Sequence, residues 1–390
     1  MRSRLRVGIA VAVLALGFGP PVLAAQAFDG ADAAVTAGIR QGVYPGAVLV
    51  VGSHDRILHA AAFGRFTWGR HSARVSVDST EWDLASLTKV VATTPAVMLL
   101  VDQGRIDLDA PVRRYLARFA GAEKDRVTVR MLLDHTSGEP AWVPFFRLAP
   151  SRDSAIALLF ATPLARKPGL APVYSDLNAL LLGLLVEQVT GEPLDRFVGR
   201  ELFDPLIMTA TRFRPPSSWR PRTAPTGRYR GHPVAGAVND QNSARFGGVA
   251  GHAGLFSTGS DLARYAQFWL RRGTLADGRG LVRQATIDTF LSPSPASGHR
   301  LLGWERPDPA EYHPDPYGAL LSASAYGHTG WTGTQLWIDP AQDLFVVLLT
   351  NRSYDPRVRK PFTALHAVRG LVADAVVRAV CGDNPSAGRC

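Results

Sequence analysis

Asp83-Leu84-Ala85-Ser86-Leu87-Thr88-Lys89 leads into an apolar run of helical length that ends at Gln103-Gly104. If a helix begins near Leu84, Ser86 and Lys89 stand one turn apart on a single face. Ser86 then lies in the first turn, where unpaired backbone N–H groups and the helix dipole favour developing negative charge. A serine hydroxyl is a weak nucleophile that needs a base within hydrogen-bond reach, and Lys89 supplies one only when neutral. Bringing a lysine from about 10.4 to near 7 requires roughly 4 to 5 kcal/mol of destabilisation of its charged form. Burial and a neighbouring cation are the expected causes. A lone Ser-x-x-Lys is a weak signal that a helix-start serine and a surface lysine also satisfy. It gains weight here because lysine occurs only at positions 89, 124, 167 and 360, and because Val90 and Val91 make the setting apolar.

Two further stretches carry chemistry. Val173-Tyr174-Ser175-Asp176-Leu177-Asn178 stands directly before an apolar helical run. A phenol at that helix entrance can relay protons between a serine, a lysine and a leaving group, whereas Ser175 or Asp176 can equally be an ordinary N-cap. Tyr326-Gly327-His328-Thr329-Gly330-Trp331-Thr332-Gly333 precedes a strand-like run, and its glycines let a substrate backbone come close. The histidine spacing offers no zinc pattern and no phosphate-binding glycine loop occurs, so neither a metal nor a cofactor is expected.

Outward from these stretches, the pattern predicts strands at both ends of the chain and helices between them. Residues 31–41 have helical composition, and Gly46 to Gly52 and Ile57 to Phe63 are apolar, strand-compatible runs across a polar turn. Helical periodicity marks 128–133, 154–160, 177–189, 194–202 and 261–270. Residues 334–338 and 344–350 form a second hairpin-like pair, and 362–380 read as a closing helix. Pairing the two hairpins gives an antiparallel sheet covered by terminal helices, with a mainly helical lobe beside it and a cleft between them. The stretch 215–254 is rich in Pro, Arg and Gly and too long for an ordinary connection, so it reads as a functional or disordered loop.

The N-terminus reads as an export signal: Arg2, Arg4 and Arg6 precede an apolar run from Val7 to Leu23 that closes on small residues. Residues 1–24 are expected to be removed, with cleavage possible up to 27, leaving one catalytic domain over 28–380 and a tail over 381–390. No later stretch is long and apolar enough to span a bilayer, so no stable membrane insertion is expected after cleavage, and the location is periplasmic or secreted. In an oxidising compartment Cys381 and Cys390 can form a tail clip or remain idle thiols. The net charge of +10 falls to +7 without the three leader arginines. Arginine supplies nearly all the positive charge, scattered without a basic stripe, which argues against nucleic-acid binding.

Taken together, Ser86-x-x-Lys89, Tyr174-x-Asp176 and His328-Thr329-Gly330 resemble the three motifs of the penicillin-recognising serine hydrolases. The resemblance is to the branch holding class C β-lactamases, D-alanyl-D-alanine carboxypeptidases of low molecular weight and β-lactamase-fold esterases. Tyr44-Pro45-Gly46-Ala47, Leu132 to Gly138 and Gly248 to Thr258 match the same branch, and coverage runs from about residue 30 to 375. It implies an α/β fold of the α+β type, β-lactamase/transpeptidase-like, in which Ser86 is acylated, Lys89 is the base and Tyr174 assists proton transfer. The backbone N–H groups of Ser86 and Trp331 correspond to an oxyanion hole, and Asp176, His328, Thr329 and Gly330 line the substrate side. The implied substrate is a small molecule or a peptidoglycan-derived peptide of D-Ala type, or a small acyl ester. A β-lactamase, and a penicillin-binding sensor or non-catalytic binding protein, are the alternatives.

Two departures bear on that choice. Class C β-lactamases usually carry Asn where Asp176 stands and Lys where His328 stands. An ionised Asp176 beside Lys89 opposes its action as a base, and it cannot donate an amide hydrogen bond. A neutral histidine holds a substrate carboxylate less firmly than an ammonium. Both changes weaken the case for an efficient β-lactamase and leave acyl transfer intact.

Overall fold

The computed structural model describes residues 27–308, 316–354 and 361–382. The leader with its expected cleavage, and Cys390 with the expected tail clip, lie outside the described residues.

The chain ends meet in one sheet. Helix α1 (Asp29–Arg40) leads into β1 (Gly46–Gly52) and β2 (Ile57–Gly64), and β3 (Trp82–Asp83) follows. A π-helical turn over Lys89–Thr93 continues as α2 (Thr94–Asp102), and α3 (Asp176–Thr190) lies in the helical lobe. Then come β4 (Arg212–Phe213), β5 (Gly227–Tyr229), β6 (His232–Val234), β7 (Leu255–Ser257) and α4 (Gly259–Leu270). β8 (Tyr326–Thr329), β9 (Gln335–Asp339), β10 (Leu344–Thr350) and α5 (Pro361–Cys381) complete it. The five-stranded sheet runs β2-β1-β10-β9-β8, a second sheet runs β3-β7-β4, and β5 pairs with β6. The β1–β10 pairing is antiparallel, from Ala47 opposite Thr350 to Gly52 opposite Phe345.

β1 and β10 are buried along their whole length because both sheet faces are covered. Side chains alternate with period two: Ala47, Leu49, Val51, Leu344, Val346 and Leu348 pack with Ala31 and Val35 of α1 and Leu365, Val372 and Val376 of α5. Their neighbours Val48, Val50, Phe345, Val347 and Leu349 join Leu262, Tyr265 and Trp269 of α4 in the larger core, which extends into the helical lobe. Fully burying each such aliphatic side chain contributes about 1.5 to 3 kcal/mol, and a one-residue slip would turn every one of them to the wrong face.

Three expectations are corrected. The stretch before β9 is itself a strand: β8 pairs with β9, His328 opposite Leu336 and Gly327 opposite Trp337. A Cβ on Gly327 would come within 2.3 Å of the Trp337 ring, so the glycine serves strand packing. The helix expected from Leu84 starts later, for a reason given below. Residues 215–254 are not an unstructured connection: they hold a 3-10 turn over Ser217–Arg222, the β5–β6 hairpin and a short helix over Gln241–Arg245. Trp219 is sandwiched between the guanidinium groups of Arg212 and Arg222, at 4.4 and 3.8 Å from the ring centre.

Candidate active site

Ser86 sits on a tight turn between β3 and the π-helical segment. Ala85 is left-handed at φ 48°, a conformation that costs an L-residue roughly 1 to 2 kcal/mol. The Asp83 carboxylate holds the turn: one oxygen accepts the Ala85 N–H at 2.9 Å and the other the Asn239 N–H at 2.7 Å. Burial pushes Asp83 up to about 6 against these hydrogen bonds. The N–H groups of Leu87, Thr88 and Lys89 reach back to the carbonyls of Leu84, Ala85 and Ser86 at 3.1, 3.0 and 3.0 Å. The left-handed residue thus delays the helix, yet three-residue turns keep Ser86 and Lys89 on one face.

The loop after β8 is tied to this turn. Thr332 Oγ1 donates to the Asp83 carbonyl at 2.7 Å and Thr334 Oγ1 to the Leu84 carbonyl at 2.9 Å. Arg369 of α5, fully buried, donates to the carbonyls of Gly330 and Thr334 at 2.9 and 2.7 Å. A Cβ on Gly330 would lie 2.5 Å from the Leu84 carbonyl and 2.1 Å from Thr334 Oγ1, so only glycine fits between sheet and turn. The backbone N–H groups of Ser86 and Trp331 donate to no protein acceptor among the described residues, which leaves both available to an oxyanion.

Lys89 Nζ donates to Ser86 Oγ at 3.1 Å, to Asp176 Oδ1 at 2.8 Å and to the His252 carbonyl at 3.2 Å. Asp176 is delivered by the start of α3, where Ser175 caps the helix by accepting the Leu177 and Asn178 N–H groups. Burial alone would pull Lys89 down, but Asp176 and Tyr174 outweigh it and push the lysine above its ordinary value. Its nearest charge is an anion, not a cation, so the lysine is perturbed in the sense anticipated for an ionised Asp176 beside it, away from the depression a base requires. Tyr174 interacts with both the Ser86 and Lys89 side chains, and Nζ lies 4.8 Å from its ring centre. Burial raises Tyr174 as well, so the phenol is held protonated.

Around Tyr174 stand His135, His328 and Arg300, with ring centres at 4.9 and 5.7 Å and the Arg300 guanidinium carbon at 5.3 Å. His328 Nδ1 donates to the Thr329 carbonyl at 2.8 Å, while its buried Nε2 has no partner among the described residues. Burial, with Lys89 and Arg300, pulls His328 down to about 3, so it is neutral. His135 Nδ1 accepts from the Ser175 N–H and lies 3.0 Å from Asn178 Nδ2, which makes it part of the scaffold of α3. His252 Nε2 pairs with Asp240 Oδ1 at 2.9 Å, and the pairing outweighs burial to hold Asp240 at about 2. The structure thus brings Ser86, Lys89, Tyr174, Asp176 and His328 together, with Gly330 and Trp331 on the adjoining loop. Arg300, Arg369, Asp83 and the His252 carbonyl were not anticipated; only the Gly248 to Thr258 stretch gave any hint of the last.

The beta-lactamase family model matches residues 31–369. The chain belongs to the beta-lactamase family. An N-acetylmuramyl-L-alanine amidase of Bacillus subtilis is 36% identical over 348 residues, 80% of this chain and 78% of that one. An Escherichia coli K12 protein provisionally named a D-alanyl-D-alanine carboxypeptidase is 31% identical over 349 residues, 80% of each chain. Among solved structures, the hydrolase EstCE1, described as having promiscuous acyltransferase activity, superposes with a TM-score of 0.71 at 22% identity over 90% of this chain and 98% of that one. A penicillin-binding protein homologue from Caulobacter crescentus superposes with a TM-score of 0.70 at 22% identity over the same shares. These place the fold among β-lactamase-like serine hydrolases. Among the described residues no helix is long and apolar enough to cross a membrane.

Proposed function

We propose that this beta-lactamase-family protein is an exported serine hydrolase that cleaves amide or ester bonds of cell-wall peptide fragments through an acyl-enzyme on Ser86. The observation that carries the reading is the contact of one amine and one hydroxyl, Lys89 Nζ to Ser86 Oγ at 3.1 Å, with the Tyr174 phenol against both. Its support is the family, the naming of relatives as a muramyl-alanine amidase and a D-alanyl-D-alanine carboxypeptidase, and the leader-like first 24 residues.

In this reading Lys89 first releases a proton to water. Ser86 Oγ then bonds to the scissile carbonyl carbon while its proton passes to Lys89, and the negative oxygen lies between the Ser86 and Trp331 N–H groups. One such donor is worth about 3 kcal/mol of barrier. The bond to the leaving amine or alcohol breaks as that group takes a proton from Lys89 through Tyr174. Water, deprotonated by the same pair, hydrolyses the ester and returns Ser86.

The test is p-nitrophenyl acetate and a D-Ala-D-Ala peptide offered to the leaderless protein, with intact mass for the adduct. Ser86→Ala should abolish turnover and adduct with an unchanged circular dichroism spectrum, and retained turnover would end the proposal. Rapid turnover of a chromogenic cephalosporin would replace it with a β-lactamase reading, and a persistent penicillin adduct without any ester or peptide turnover with a sensor. Export is checked by whether the mature N-terminus falls between residues 25 and 28.

A further inference from the structure

The cleft wall offers acceptors where donors would be expected. Asp176 Oδ1 is engaged by Lys89, whereas Oδ2 has no partner among the described residues and the side chain keeps 18% of its surface exposed. His328 places its only ring proton on the Thr329 carbonyl, so Nε2 is an acceptor, buried beside Tyr174 and unpartnered among the described residues. A carboxylate oxygen and an imidazole lone pair both call for a donor, and leaving a buried acceptor unmade is costly.

Charge bookkeeping sharpens the class of donor. The charged groups around Lys89 and His328 include Asp176, Arg300 with Glu305 at 3.5 Å, Arg369 on the Gly330 and Thr334 carbonyls, and Asp240, which is held by His252. Lys89 and Asp176 neutralise each other at rest. When Lys89 becomes the neutral base, Asp176 is left without a counter-charge unless the substrate brings one. Distance then sets where that charge sits. Ser86 Oγ and Asp176 Oδ1 lie 3.1 and 2.8 Å from one Nζ, so they are no more than about 6 Å apart. In an α-aminoacyl group the nitrogen is about 2.5 Å from the carbonyl carbon that bonds to Oγ. An α-ammonium therefore reaches the carboxylate.

We infer that Asp176, assisted by His328, selects substrates whose acyl group carries a free α-ammonium, so that the protein acts on N-terminally unblocked aminoacyl amides or esters. This rests on the acyl-enzyme reading above and narrows its substrate class. Asn at position 176 would present an amide donor there and favour a blocked, acylated amine through its carbonyl.

The experiment compares alanine p-nitroanilide with N-acetylalanine p-nitroanilide, each in D and L form, on the wild type and on Asp176→Asn. The wild type should prefer the free amine at least 10-fold in kcat/KM, and Asp176→Asn should lose or invert that preference. As a binding readout independent of amide cleavage, alaninamide should inhibit p-nitrophenyl acetate hydrolysis by the wild type and N-acetylalaninamide should not. Equal or better handling of the acetylated compounds by the wild type in either assay overturns the inference, as does a preference that survives Asp176→Asn. Failure of the acyl-enzyme reading shows separately, as absence of any p-nitrophenyl acetate turnover dependent on Ser86.

Discussion

Replacing Asp176 by asparagine keeps the side chain's shape and removes one negative charge 2.8 Å from Lys89 Nζ. Two unit charges that close are worth about 6 kcal/mol at an effective dielectric of 20. Residual solvent access reduces this, and one opposite charge at short range typically moves a pKa by about 1 to 3 units, or roughly 1.4 to 4 kcal/mol. The sign is set by what remains: burial pulls Lys89 down, and once the carboxylate is gone Tyr174 is what still opposes it. With a substrate that carries no amine, the limb of kcat/KM that rises with pH should therefore move to lower pH by about 1 to 3 units in Asp176→Asn. At a pH below both midpoints the neutral population grows at most about 10-fold per unit, and the weaker base gives back part of that gain. Hydrolysis of p-nitrophenyl acetate, followed from pH 5.5 to 10 and corrected for spontaneous reaction, reads the limb directly. An unmoved limb, or one that moves upward, would refute the assignment of Lys89 as the group whose proton loss gates acylation.

Gly330→Ala should lower kcat for the same ester about 100-fold or more, the loss of one oxyanion donor, because a Cβ 2.5 Å from the Leu84 carbonyl forces the Trp331 N–H away from Ser86. Wild-type turnover in that variant would show that this N–H is not used. Glu139 is buried with neither carboxylate oxygen partnered among the described residues, and burial pushes it up to about 8 against the opposing pull of Lys124. The folded protein therefore keeps a proton that the unfolded chain releases above about 4.3, so this group's contribution to stability falls as pH rises from there to about 8. The melting temperature of Glu139→Gln should decline less between pH 5 and pH 8 than that of the wild type, by differential scanning fluorimetry; parallel curves would exclude the effect.

What the sequence disclosed follows from which interactions are local. β1, β2 and β10 are long apolar runs bounded by turns, and their faces could be assigned without knowing what covers them. β3, β4 and β7 have two or three residues each and owe their strand character to partners far along the chain, Trp82 to Ser257 and Arg212 to Phe256 among them. The three motifs could be read because each is contiguous. The sign of the Lys89 perturbation depended on how closely a residue 87 positions away approaches, and that distance is a property of the docked lobes. Arg300 had no pattern around it at all, and its place over Tyr174 is purely tertiary.

The same non-local bonds explain how a strained turn survives at the nucleophile. Ala85 alone costs roughly 1 to 2 kcal/mol, and locally only the short turn bonds from Leu87 to Leu84 and Thr88 to Ala85 are set against it. The compensation arrives from three directions: Asn239 on Asp83 from the long loop, Thr332 and Thr334 on the Asp83 and Leu84 carbonyls from the sheet, and the His252 carbonyl on Lys89. Each of these four is worth about 1 kcal/mol net when made, so together they exceed the strain and losing any one narrows the margin. A serine held this way is aligned only when sheet and helical lobe have docked and the 215–254 segment has closed over the turn. The Pro- and Arg-rich loop, anchored by Arg222 on the buried Glu81 one residue before β3, is then part of the catalytic scaffold as much as a wall of the cleft. Changes within it should alter the rate of acylation even where they touch no substrate.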